Sequence, residues 1–95
     1  MNDILAVLVI EFEDTVDRIS RAMFTERMVE QGWKQDGHIA SVWTIEFEPR
    51  SRITMRDTTR SFLQLACQYA RIEMNQIRAV AHYGEDEPTQ IPLSE

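Results

Sequence analysis

The chain has 95 residues, of which 43% are hydrophobic and 27% are charged. This composition is typical of a single globular domain and excludes a disordered or fibrous chain. The formal net charge of −6 argues against a nucleic-acid-binding protein, which needs a positive surface, and suits a soluble regulator or an inhibitor of a basic target.

Residues 4–13 predict a first strand that is apolar on both faces. One face carries Ile4, Ala6, Leu8, Ile10 and Phe12, and the other carries Leu5, Val7 and Val9 before Glu11 and Glu13. Such a strand is typical of the centre of a sheet that is covered on both sides. Asp14 is a good helix N-cap, so a first helix is predicted over residues 15–31, with Gly32 as its stop.

The middle of the chain predicts a β-hairpin. Residues 33–35 form a short strand 2, and residues 39–48 form strand 3. Asp36-Gly37 between them is a strong signal for a tight hairpin turn. Because strand 2 is too short to pair with all of strand 3, the remainder of strand 3 is expected to pair with strand 1.

Helix 2 follows, with Thr54 as its predicted N-cap. Its predicted apolar face carries Met55, Thr59, Phe62, Ala66 and Tyr69. Cys67 falls toward the polar side and is expected to be partly exposed. Residues 77–83 predict strand 4, and residues 84–95 form a tail that either docks on a neighbour or stays loose.

The resulting order, β-α-β-β-α-β, predicts an α+β domain with the ferredoxin-like fold. We expect one domain over residues 1–95, an antiparallel sheet with strand order 4-1-3-2, and both helices on one face. The other face would then be open and apolar, which usually marks an interface. Its predicted residues are Leu5, Val7, Val9, Val42 and Thr44. A homodimer or a complex with a protein partner would cover them.

Two clusters of charge are candidate sites. Glu11, Glu13 and Asp14 end strand 1, and such carboxylates can hold Mg²⁺ or Mn²⁺. The alternative is a helix cap beside two solvated glutamates, with no cofactor. The second cluster is at the start of helix 2, where arginines can bind phosphate unless they simply form a solvated helix face. It comprises Arg50, Arg52, Arg56 and Arg60.

A further nucleic-acid mode, RNA stacking on the sheet, needs exposed aromatic side chains on strands 1 and 3. The positions expected to be exposed there are neither aromatic nor basic, so this mode is rejected. Cys67, as the single cysteine, cannot form an internal disulfide and favours a reducing, cytoplasmic location. The longest apolar run, residues 4–10, is too short to span a membrane.

Residues 9–14, VIEFED, with the amphipathic helix behind them, resemble the opening of GhoS-type antitoxins. They also resemble the small ferredoxin-like endoribonucleases associated with CRISPR adaptation. Residues 41–43, SVW, are similar to the start of a later strand in the second group. This resemblance implies a dimer and, for some members, metal-dependent cleavage of RNA, with Glu13 or Glu11 at the position of the catalytic aspartate.

The sequence favours a small acidic binding protein without catalytic activity. It would act as a regulator or inhibitor of a macromolecular partner, such as an antitoxin, an immunity protein or an anti-defence protein. Its binding surface would include the acidic end of strand 1, the open sheet face, or both. The alternatives are a metal-dependent endoribonuclease and a protein that contacts nucleic acid through the arginine cluster.

Overall fold

A computed structural model describes residues 2–85 and 89–93 of the chain. In chain order the elements are β1 (Ile4–Phe12), α1 (Arg18–Glu30), β2 (Lys34–Gln35), β3 (Val42–Phe47), α2 (Arg52–Ala70), a short 3-10 helix (Met74–Gln76), β4 (Ile77–Tyr83) and β5 (Thr89–Gln90). Within these ranges no helix has the length and apolar character needed to cross a membrane.

The strands form one five-stranded antiparallel sheet in the order β2-β3-β1-β4-β5. The predicted α+β class, with two helices and an antiparallel sheet, is confirmed. The sheet differs from the predicted four-stranded one by β5, which pairs with the outer edge of β4. The central position of β1, between β3 and β4, agrees with its run of apolar residues.

The core lies between the helices and one face of the sheet. Ala6, Leu8 and Ile10 alternate along β1 and are buried, whereas their neighbours Leu5 and Val9 are exposed. Two helices that pack on each other and a sheet that is buried on alternate residues place both helices on the same side. The other side of β1 therefore faces solvent within one chain.

The first helix begins later than the sequence predicts. The side chain of Asp17, not that of Asp14, caps α1 by accepting a hydrogen bond from the backbone N–H of Ser20 at 2.7 Å. That hydrogen bond lowers the pKa of Asp17 below its ordinary value. Asp14 lies instead in a turn closed by the Val16 N–H and the Glu13 carbonyl. The turn buries Val16, so packing rather than cap preference decides where the helix starts.

The second helix begins one residue after Ser51, whose side chain accepts from the Thr54 N–H at 3.1 Å. The predicted N-cap at Thr54 is therefore wrong. The predicted exposure of Cys67 is also wrong, because this residue is only 1% exposed. The buried stripe of α2 runs through Thr59, Leu63 and Cys67 at intervals of four residues. The predicted apolar face instead included Tyr69, which is exposed.

The connection between β2 and β3 is longer than the predicted hairpin turn. The Asp36 carboxylate accepts hydrogen bonds from the backbone N–H groups of His38 and Ile39, both at 2.8 Å, and these bonds lower its pKa. This side-chain turn competes with strand pairing, so β3 starts at Val42 and Ile39 is exposed.

The C-terminal segment packs on its own domain. Thr89 and Gln90 form β5, and the side chains of Ile91 and Leu93 are buried in the core cluster. The core thus extends beyond residue 83. The rest of the predicted tail, residues 86–88 and 94–95, lies outside the described residues.

Candidate binding surface

We call the side of the sheet away from the helices the open face. The strand register assigns its residues, because side chains directly opposite on paired strands share a face. Val9 lies opposite Val42 on β3 and Val80 on β4, and Val7 lies opposite Thr44 and His82. The described residues of the open face are Leu5, Val7, Val9, Glu11, Lys34, Val42, Thr44, Glu46, Arg78, Val80, His82 and Gln90.

The centre of the open face is apolar. Leu5 is 49% exposed, Val9 is 41% exposed and Val80 is 38% exposed. Val7, between Leu5 and Val9, and Val42, opposite Val9 on β3, are half-buried. Directly opposite side chains on paired antiparallel strands have Cβ atoms about 5 Å apart, so these residues form one continuous patch. The five residues that the sequence assigned to this surface (Leu5, Val7, Val9, Val42 and Thr44) do lie together.

The rim of the open face carries charges of both signs. At one end, Glu11 lies directly opposite Arg78. At the other end, Glu46 lies opposite Leu5, and Lys34 on β2 lies opposite Thr44. With His82 neutral, the residues of this face that lie within the paired strands have no net charge, although the chain as a whole carries −6.

The acidic cluster predicted at the end of β1 is divided between different surroundings. Glu11 lies on the open face, whereas Glu13 follows the strand and accepts a hydrogen bond from the Thr15 hydroxyl at 3.3 Å. Asp14 lies in the turn before α1. Among residues 2–85 and 89–93, no three His, Cys, Asp or Glu side chains are grouped so that they could hold a metal ion. Mg²⁺- or Mn²⁺-dependent cleavage of RNA stays a prediction from the resemblance.

The four arginines predicted to bind phosphate have contacts within the chain. Arg52 Nε donates to the Thr89 hydroxyl, and Arg60 Nε donates to the Pro92 carbonyl, both at 2.7 Å. Arg56 pairs with Asp57 at 3.1 Å, and Arg50 pairs with Glu48 at 3.8 Å. The first two arginines therefore fasten the C-terminal segment to α2. The sequence signal for this role is the apolar triplet 91–93, because an apolar segment is expected to pack against the rest of the domain.

The buried polar groups have structural roles. The hydroxyl oxygens of Thr59 and Tyr83 lie 2.7 Å apart, and Thr59 also donates to the Met55 carbonyl at 2.8 Å. Burial raises the pKa of the Cys67 thiol to about 12. A thiol with so high a pKa is protonated at neutral pH and is a poor nucleophile. Cys67 is therefore a core residue.

No protein-family model, curated protein or solved structure matches this chain. The resemblance to antitoxins and endoribonucleases therefore rests on residues 9–14 with the helix behind them and on residues 41–43. For function, the informative feature is the open face itself, which combines an apolar centre with a rim of mixed charge.

Proposed function

We propose that this chain is a ferredoxin-like domain that acts by binding a protein partner, as a regulator or inhibitor of the antitoxin, immunity or anti-defence kind. The open face is its binding surface. The domain performs no chemistry of its own in this proposal, and its effect on the partner comes from occupying a surface.

The observation that carries the proposal is the exposure of Leu5, Val9 and Val80 at the centre of the open face. Large apolar side chains grouped on a rigid sheet, with charges only at the rim, are the usual anatomy of a protein interface. The central strand β1 pairs on both sides, so the patch is rigid before binding. A preorganised surface loses little conformational entropy when a partner binds.

The chemistry of this face favours protein over nucleic acid. A nucleic-acid surface needs basic side chains or exposed aromatic rings. The described residues of the open face include no Phe, Tyr or Trp side chain, and Lys34 and Arg78 are matched there by Glu11 and Glu46. The arginines of α2 support nucleic-acid binding little, since Arg52 and Arg60 are engaged with the C-terminal segment.

The test is affinity capture from nuclease-treated host lysate with three versions of the chain. These are the native chain, Val9→Glu on the open face, and Ile19→Glu on α1 as the matched control. Ile19 is 74% exposed and lies off the sheet. We expect a protein captured by the native chain and by Ile19→Glu, and lost with Val9→Glu.

The captured protein is then purified and its affinity for the three versions is measured by calorimetry. A charged side chain in the centre of an apolar interface should weaken binding at least about 100-fold. Equal binding by Val9→Glu and Ile19→Glu would refute the open face as the binding surface. Circular dichroism melting curves of both variants check that each one folds.

A further inference from the structure

We propose that a second copy of this chain covers the open face, in a symmetric dimer whose twofold axis lies in the plane of the interface. The proposal rests on the proposed function because it concerns the same surface, and a second copy would compete there with the protein that the chain regulates. It is carried by two features of the open face: its neutrality within an acidic chain, and the positions of its four rim charges.

The neutrality of the open face distinguishes a second copy from a basic partner. Two chains that each carry −6 repel each other unless the surfaces that meet are uncharged or complementary. The open face satisfies this condition, since Glu11 and Glu46 are matched by Lys34 and Arg78. A surface selected for a basic target would instead carry an excess of acidic residues.

The rim charges are also self-complementary in position. Glu46 lies at one end of the face on the β3 side, and Arg78 lies at the other end on the β4 side. These are diagonally opposite corners, about 20 Å apart for strands with ordinary spacing. A twofold axis oblique to the strands exchanges the two corners, so that Glu46 of each chain meets Arg78 of the other.

The same operation pairs the two remaining charges. It carries Glu11, at the end of β1, onto the edge of the sheet where Lys34 of the second copy lies. Symmetry makes each contact occur twice, so the interface gains four ion pairs around an apolar centre. In such an arrangement Val7 and Val9 of the two chains pack against each other.

The size of the face favours a weak dimer. The nine residues of β1 span about 30 Å, but β2 and β5 have only two residues each, so the paired strands cover about 400 Å² of each chain. The two chains together would bury about 800 Å² through these strands, which is below the range of standard stable interfaces. We therefore expect a dimer that dissociates at micromolar concentration.

The test is sedimentation equilibrium of the native full chain between about 1 and about 100 μM, a range that brackets a dimer of micromolar affinity. We expect dimers for the native chain and for Ile19→Glu, and monomers for Val9→Glu at every concentration. Arg78→Glu should weaken the dimer at least tenfold, and adding Glu46→Lys to it should restore most of that loss. Melting curves check the folding of each variant.

A native chain that stays monomeric over this range, or a Val9→Glu variant that still dimerises, would overturn the proposal. Failure of Glu46→Lys to rescue Arg78→Glu would overturn the twofold arrangement. The outcomes that refute the proposed function differ from those that refute the dimer. A monomeric native chain that captures another protein through Val9 refutes the second copy alone, whereas a Val9-dependent dimer without other partners refutes the regulator alone.

Discussion

The packing of the C-terminal segment predicts that Ile91→Ala destabilises the whole domain. Ile91 is 3% exposed, and its N–H bonds the Ala79 carbonyl at 3.0 Å. Full burial of an isoleucine side chain contributes about 1.5–3 kcal/mol, and truncation to alanine leaves a cavity that adds to the loss. Because a five-residue segment can shift to fill part of that cavity, we expect a loss near the lower end, about 2 kcal/mol.

Urea unfolding monitored by tryptophan fluorescence measures this loss. Trp33 and Trp43 are buried, so their emission reports exposure of the core. A loss of about 2 kcal/mol lowers the urea midpoint by about 1–2 M and the melting temperature by about 10 °C. The matched control is Gln90→Ala, an exposed neighbour, which should change stability by less than about 0.5 kcal/mol. Equal midpoints for Ile91→Ala and the native chain would show that the segment does not contribute to the core.

Three further outcomes follow from the buried and capping groups. Thr59→Val and Tyr83→Phe should each destabilise by about 1 kcal/mol, and the double variant by about 1 kcal/mol less than their sum, because the two hydroxyls bond each other. Cys67 should react with a thiol reagent at least about 100-fold more slowly in the native chain than in urea, because its burial leaves only rare openings for attack. The pKa of Asp17 is lowered by the Ser20 N–H, so this cap stabilises the fold above about pH 4 and is lost as the pH falls further. The free energy of unfolding of Asp17→Ala should therefore be lower than that of the native chain at pH 7, and the difference should shrink as the pH falls below about 4.

Much of the fold is predictable from the chain because its long elements carry strong periodic patterns. The alternation of Ala6, Leu8 and Ile10 with exposed neighbours is observed as predicted, and β4 occupies the predicted residues 77–83. The open-face residues follow directly from these registers. A period of two residues leaves little freedom once one face is buried.

The features missed by the sequence depend on competition between similar signals. Asp14 and Asp17 are both good caps, and only the burial of Val16 favours the second. β5 has two residues, too few for any periodic signal, and its position depends on side chains that come from α2. The sequence predicts a phosphate site that includes Arg52 and Arg60, because the partners that these two side chains contact lie 37 and 32 residues further along the chain.

The central strand connects the fold with the proposed dimer. A strand that is apolar on both faces belongs in a sheet that is covered on both sides, yet the helices cover only the face of β1 that carries Ala6 and Leu8. On the other face, Leu5 and Val9 stay exposed in the single chain. Exposure of such residues promotes association, and the neutral rim around them does not oppose it. A second copy would cover the other face of β1. Both apolar faces of this strand would then be buried, as its sequence predicts.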